Sequence, residues 1–398
     1  MNIFVINSGS SSLKYQLFRM PSVKPVCSGL VDRIGLDNPV VIYKTYINGE
    51  EKVYKLEVDI PDHGAALRKV NELLVDMEIG VIKDTNDIKA IGHRIVHGGE
   101  TFTSTTIITE DVKEKLKLTF SLAPLHNPAA YRGIEVAEGI FTCARQIAVF
   151  DTAFHQTMPA MAYRFAIPSA YYTDHNVRVY GFHGTSHKYV SKQAGEYLNR
   201  KDLKLISIHL GNGCSVTAIN NGRSIDTSMG FGPLSGLIMG SRSGDIDPTV
   251  IFYLVEHLGY TMGQVSNLLN KESGMLGLTG FSDMRDIRKL ISEGDSNADL
   301  AYDMYAYRIK KYIGAYAAIL NGLDAIIFTA GVGENDPVIR ERVCLNLAYM
   351  GIELDTDKNN MRSDGFREIN QPGSKVKVLI IPTNEELEIA NECFELLT

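Results

Sequence analysis

Leu205-Ile206-Ser207-Ile208-His209, then Leu210-Gly211-Asn212-Gly213-Cys214-Ser215, then Val216-Thr217-Ala218-Ile219, is the stretch from which the fold can be read. A β-rich run, a turn of Gly and Asn, and a second β-rich run are the marks of a hairpin. The same grammar opens the chain: Ile3-Phe4-Val5-Ile6-Asn7, then Ser8-Gly9-Ser10-Ser11-Ser12, then Leu13-Lys14-Tyr15-Gln16-Leu17-Phe18. If each hairpin opens one half, the molecule is a duplicated α/β protein with a cleft between its halves, a common place for ligands.

Working outward, helical and strand signals alternate, which argues for α/β. His63 to Met77 is amphipathic, Ser186 to Leu198 follows a Thr/Ser cap, and Ala298 to Leu320 is long and rich in Tyr and Ala. Strands are expected at Ala90–Ile95, Gln146–Phe150, Ala325–Thr329 and Val376–Ile381. The domain boundary is expected just after Asp151, giving domains 1–151 and 152–384. A last helix, about 385–398, is expected to cross back onto the first.

At 398 residues the chain exceeds the size at which one core keeps growing. Hydrophobic residues make up 44% and charged residues 22%, which excludes disorder as a class. A net charge of -7 argues against a nucleic-acid binder, so anionic ligands must be held by local groups. Cys27, Cys143, Cys214, Cys344 and Cys393 are scattered and form no C-x-x-C pair; a reducing, cytoplasmic setting is expected. The N-terminus lacks a basic n-region and reads as a strand, not a signal peptide. No apolar run approaches the roughly 18 residues that span a bilayer, so no membrane partner is expected.

Several short motifs carry chemistry. In Asn7 to Lys14, small residues let backbone N–H groups converge on an anion and Lys14 adds a point charge; an ordinary turn is the alternative. His209 to Gly213 allows close backbone approach to a polyphosphate, although Asn-Gly is also a structural turn. After the strand Ala325–Phe328 comes Thr329-Ala330-Gly331-Val332-Gly333-Glu334-Asn335, a glycine turn before a helix start at Pro337. It is not the dinucleotide fingerprint.

Gly92 to Gly99 places His93 and His97 about 13 Å apart if it is a strand, too far to share a metal. Arg94, set among glycines, suits two-point contact with a carboxylate or phosphate. Asp151 ends an apolar strand, where α/β enzymes place catalytic groups, and an N-cap role is nearly as good an account. His183 lies between Gly181 and Gly184 and is favoured over His187, which reads as helical and structural. Arg242 sits in the small-residue loop Gly240 to Gly244, while Asp247 before Pro248 reads as a cap. Thr383-x-x-Glu386 reads as a capping box, which leaves Glu385 at a strand end as a magnesium ligand.

Taken in order, these motifs resemble the acetate and propionate kinase family, within the actin, sugar kinase and Hsp70 superfamily. Leu125-His126-Asn127-Pro128 and Gly181 to His187 belong to the same resemblance, which covers essentially the whole chain. It implies a duplicated ribonuclease-H-like (actin-like ATPase) two-domain fold with an interdomain cleft. It also implies reversible, magnesium-dependent, direct in-line transfer of the ATP γ-phosphoryl group to acetate, giving acetyl phosphate and ADP. The enzyme class is a phosphotransferase with a carboxyl group as acceptor, and Mn2+ is expected to substitute for Mg2+. A homodimer through the C-terminal domain is implied as well.

Residue by residue, the resemblance puts Asn7 and Glu385 on magnesium, directly or through water, and Lys14 near the nucleotide phosphates. His209, Leu210, Gly211, Asn212 and Gly213, with Asp283, Met284 and Arg285 and with Gly331, Val332, Gly333, Glu334 and Asn335, would form the ATP site. Arg94 would hold the substrate, Asp151 is the catalytic acid, and His183 and Arg242 would stabilise the transition state. Val96, Leu125, Phe182 and Pro233 would wall the pocket for a short alkyl group. A carboxylic acid is already ionised at pH 7, so the nucleophile needs no general base, and Asp151 is expected to orient an arginine or a magnesium-bound water. Propionate is the nearest alternative acceptor, since one methylene is worth only about 1–3 kcal/mol. More remote alternatives are a metal-dependent hydrolase using Asp151 and His155, and a non-catalytic nucleotide switch.

Overall fold

The apolar run at the start of the chain forms β1 (Asn2–Ser8), whose Ile3, Phe4, Val5 and Ile6 are all buried. Burial of successive residues means that both faces of the strand are covered, as a central strand between helices requires. β1 turns back antiparallel into β2 (Ser12–Arg19), with Ser8 opposite Leu13. The meander continues through β3 (Pro25–Asp32), β4 (Val40–Ile47) and β5 (Glu50–Glu57). On the other flank β6 (Ile88–Ile95) lies parallel to β1, the short β7 (Thr106–Ile107) is an edge, and β8 (Arg145–Phe150) lies parallel to β6 and antiparallel to β7. The computed structural model describes residues 1–398 except Ser10, Asn48, Leu125 and Asp364, and the side chain of Ile47.

The second sheet is built from β9 (Lys204–Leu210), β10 (Cys214–Asn220), β11 (Arg223–Thr227), β12 (Ala325–Thr329), β13 (Arg367–Glu368) and β14 (Lys377–Ile380). Its order is β11-β10-β9-β12-β14-β13, against β5-β4-β3-β2-β1-β6-β8-β7 in the first. With β4 and β5 set aside the two orders correspond strand for strand. The pairing directions correspond too: an antiparallel meander, then two parallel additions, then an antiparallel edge. The duplication expected from the two hairpins is therefore present in the topology.

The chain divides into two compact units, Met1–Phe154 with Asn384–Thr398, and His155–Thr383. In the first, helices His63–Leu74 and Asn127–Ile140 cover Phe4, Ile6, Tyr15 and Leu17, with Phe141 against Phe4 at 5.6 Å between ring centroids. Each such side chain contributes about 1.5–3 kcal/mol when fully buried. The helix Glu385–Leu397 packs on β1 and β6 so closely that a Cβ at Gly92 would lie 2.6 Å from Ile389 Cγ2. In the second unit β9 and β12 are buried, with helices Gly184–Leu198 and Ser296–Leu320 packed on the sheet.

Three local expectations are corrected. The helix after Gly181 begins without a Thr/Ser cap: His183 is the N-cap, left-handed at φ 55, and Ser186 turns its hydroxyl to His209. The last helix is capped by Asn384, whose Oδ1 accepts from Leu387 N at 3.0 Å, so Thr383 and Glu386 form no capping box. The glycine turn after β12 is not an open turn but winds at once into the helix Ala330–Asn335, with Arg340 Nη1 donating to Gly333 O at 2.9 Å. Asp247 and Pro337 stand where expected: Asp247 Oδ1 accepts from Thr249 N, and Pro337 opens a helix.

Candidate active site

Parallel pairing of β1, β6 and β8 brings their carboxyl ends side by side, and that edge of a parallel sheet is where α/β proteins hold ligands. Asp151 follows β8, its N–H donating to Ile95 O at 3.0 Å, and its carboxylate meets the Arg94 guanidinium on β6. Arg94 Nε lies 3.2 and 3.1 Å from the two Asp151 oxygens, and Nη2 lies 2.7 Å from Oδ2. Asp151 is 1% exposed, and its carboxylate is held against the Arg94 guanidinium. Two-point pairing leaves the outer N–H groups of Arg94 in a fixed direction.

Asn7 and Glu385 complete this cluster. Arg94 Nη1 reaches Asn7 Oδ1 at 3.5 Å, and Arg94 Nε lies 3.7 Å from Glu385 Oε2. Lys14 stands opposite Asn7 in the β1–β2 register. Burial works against the Arg94 charge, but Asp151 and Glu385 outweigh it and raise its pKa above the ordinary value. Burial also pushes the Glu385 carboxyl up; Arg94 opposes the shift, Asp151 and Glu386 reinforce it, and it stands at about 7. The Glu385 carboxyl and the Asn7 amide oxygen, each within reach of Arg94, are hard oxygen donors of the kind Mg2+ takes.

In the second unit, His183 and His209 stack at 4.2 Å between ring centroids. His209 Nδ1 is bonded to Ser186 Oγ at 2.9 Å, and Ser186 Oγ to Thr383 Oγ1 at 2.8 Å. His183 Nδ1 is bonded to Ser215 Oγ at 2.9 Å. The glycine at 213 is needed for space: a Cβ there would lie 3.3 Å from both Cε1 and Nε2 of His183 and 3.7 Å from Arg242 Nη1. Arg242 Nη1 donates to Pro233 O at 2.7 Å, while Nε and Nη2 have no partner among the described residues. Burial lowers the Arg242 pKa; Cys214 opposes the shift, and no carboxylate among the described residues pairs with the guanidinium. Such an arginine is under-compensated and favours an arriving anion.

A cavity of about 540 Å³ opens beside this group. It is lined by Gly211, Asn212, Asp283, Met284, Arg285, Gly331, Val332 and Asn335, all expected at a nucleotide site. Asp283 also caps the helix Met284–Ser292 and pairs with Arg285 at 2.6 Å; that side-chain contact lowers its pKa to about 2. Of the expected nucleotide residues, Lys14, His209, Leu210, Gly213 and Gly333 do not line the cavity. Glu334 does not either, because its carboxylate accepts from Thr383 N and its carbonyl from Arg367.

Sequence reading missed Tyr305, Met275, Arg288 and Asp336, which also line the cavity. Tyr305 comes from the long helix Ser296–Leu320, where nothing local distinguishes it from its neighbouring tyrosines. Of the expected alkyl-pocket residues, Val96 follows β6, Phe182 and Pro233 belong to the second unit, and Leu125 lies outside the described residues. His155 is not free to bind metal: its Nδ1 meets Ser224 Oγ at 2.9 Å and its Nε2 meets Phe182 O at 3.0 Å. With Asp151 committed to Arg94, the hydrolase alternative loses both of its ligands.

Comparison with known proteins follows the same line. The model of the acetokinase family matches residues 2–391. An acetate kinase of Flavobacterium johnsoniae is 57% identical over 397 residues, covering 100% of both chains. Among solved structures, the acetate kinase of Porphyromonas gingivalis agrees with a TM-score of 0.93 at 45% identity, covering 100% of both chains. A propionate kinase from Francisella tularensis agrees at 0.90 and 42%, covering 98% of each. A family model that spans the motifs from β1 to the last helix, with relatives matched end to end, decides the assignment: this chain belongs to the acetokinase family.

Proposed function

We propose that this protein is a kinase that transfers the γ-phosphoryl group of ATP to acetate, reversibly and in line, giving acetyl phosphate and ADP. The observation that carries the reading is the two-point pairing of Arg94 with buried Asp151. A general base would need its carboxylate free to take a proton, whereas this one is spent on an arginine. An acceptor that is already an anion needs no base; it needs a cation held in place. Arg94 would orient the acceptor carboxylate, and Asp151 would orient Arg94.

His183 and Arg242 would take up charge on the transferring phosphoryl group, Arg242 with two donor nitrogens still unused. The backbone of Gly211 to Gly213 would approach the ATP phosphates, and the cavity lined by Asp283 to Arg285 and by Gly331, Val332 and Asn335 would take the nucleoside. Asn7 and Glu385 would hold Mg2+, with Mn2+ able to replace it. When bound, the metal neutralises phosphate charge and fixes the phosphate geometry. Val96, Leu125, Phe182 and Pro233 would bound the alkyl group.

Propionate is the second acceptor to consider, since the similar Francisella tularensis protein is a propionate kinase. A homodimer is supported by the helix Pro248–Glu256, which buries none of its residues yet exposes Val250, Phe252 and Tyr253. No helix among the described residues is long and apolar enough to cross a membrane. A cytoplasmic setting is supported by five unpaired cysteines. The test is to trap acyl phosphate with hydroxylamine, using ATP, Mg2+ and acetate, propionate or butyrate in turn. Hydroxamate is expected most strongly from acetate, and none from any acid would refute the proposal.

A further inference from the structure

Behind His183 runs a buried line of polar atoms that the reaction above does not use. Ser207 Oγ is 2.8 Å from His187 Nδ1, His187 Nε2 is 2.7 Å from Ser215 Oγ, and Ser215 Oγ is 2.9 Å from His183 Nδ1. Ser207, His187 and Ser215 are each 0% exposed. Each hydroxyl has one proton, and a neutral imidazole has one N–H and one bare nitrogen. His187 is neutral, because burial, and then the nearby His155 and His209, hold its pKa well below the ordinary value.

Two proton arrangements satisfy these contacts. In one, Ser207 donates to His187 Nδ1, His187 Nε2–H donates to Ser215, and Ser215 donates to His183 Nδ1. In the other every arrow reverses, and Ser207 then accepts from His187 with its own proton left over. Among the described residues the Ser207 hydroxyl meets no other acceptor. A buried donor without an acceptor is costly, so the first arrangement prevails. It makes His183 Nδ1 an acceptor and puts the proton of a neutral His183 ring on Nε2.

Nε2 is the edge that matters. A Cβ at Gly213 would lie 3.3 Å from His183 Nε2 and 3.7 Å from Arg242 Nη1, so this edge faces the glycine turn beside Arg242. With the opposite tautomer the ring would turn a lone pair toward a phosphoryl oxygen and repel it. We propose that Ser207, His187 and Ser215 are positioning residues that hold His183 in the Nε2–H tautomer, so that the neutral ring donates to the transferring phosphoryl group. This rests on the role given to His183 above.

The test combines NMR with kinetics on the full-length protein. Long-range proton–nitrogen correlation on 15N-histidine protein, with His183 assigned by its loss in His183→Gln, is expected to show Nε2 protonated and Nδ1 bare. Ser215→Ala is expected to mix the tautomers and lower kcat about 10- to 100-fold, somewhat less than deleting a transition-state donor outright. KM for ATP and acetate should stay within about threefold, since the ground state does not need that proton. Ser207→Ala, two bonds away, should shift the tautomer in the same direction with a smaller loss. A proton on Nδ1 in the unmodified protein, or a Ser215→Ala enzyme with normal kcat and an unchanged tautomer, would overturn the proposal while His183→Gln remained inactive. Full activity of His183→Gln would overturn the role of His183 as well.

Discussion

Replacing Asp151 by Asn separates an orienting carboxylate from a catalytic base. Asp151 accepts three Arg94 contacts, at 3.2, 3.1 and 2.7 Å, with both oxygens engaged. Asn keeps one acceptor oxygen and turns an NH2 group toward the guanidinium, so the contacts on the other oxygen are lost and the rest become neutral-acceptor bonds. A hydrogen bond to a charged group is worth about 1.5–3 kcal/mol and a neutral one about 0.5–1.5. Losing one and weakening another amounts to about 2–4 kcal/mol. Expressed in orientation of the acceptor, that is a loss of about 30- to 1,000-fold in kcat/KM for acetate. KM for ATP should hardly move, because the role proposed for this pair is to hold the acceptor carboxylate and not the nucleotide. The hydroxamate assay, run across acetate concentrations and from pH 6 to 9, reads these terms. An orienting role predicts a pH–rate profile of unchanged shape. Near-normal turnover in Asp151→Asn would refute it, and a loss confined to one limb of the profile would restore the general base.

Further outcomes are expected elsewhere. Tyr302 Oη donates toward Met284 O at 3.0 Å and Asp336 Oδ2 at 2.9 Å, tying two walls of the nucleotide cavity; Tyr302→Phe should raise KM for ATP about 3- to 10-fold at nearly unchanged kcat, and equal KM would show the tie to be idle. Gly213→Ala should cut kcat through displacement of His183, since its Cβ would sit 3.3 Å from the ring; retained kcat would mean that the ring can yield. Burial raises the Asp226 pKa to about 6, so the native state holds its proton longer than the unfolded chain. Stability is then lost as pH rises from about 4 to 6, by at most about 3 kcal/mol. Asp226→Asn should raise the thermal midpoint at pH 7.5 and leave it unchanged near pH 4; equal shifts at both would contradict the assignment.

Much of the architecture was legible because its signals are local. The two hairpins, the buried strands β6, β8, β12 and β14, the cap at Asp247 and the proline at 337 each depend on residues within a few positions of one another. Periodicity and turn chemistry encode such features directly. Errors came where several small polar residues competed. Ser186 could have capped its helix, but tertiary structure offered His209 a partner there, and Thr383 was drawn into the same bonds.

The motif set and the order of its segments were enough, by themselves, to establish the family and the chemistry class, since glycines, arginines and histidines in those positions limit what the backbone can approach. Only the tertiary structure decided which partner each polar group meets. Arg94 and Asp151 are 57 residues apart, and His187 and Ser215 are 28 apart. Parallel strands and crossover helices bring such pairs together, and no local pattern records the meeting. A side chain's role is set by which partner satisfies it once water is gone, and that choice exists only after the chain has folded.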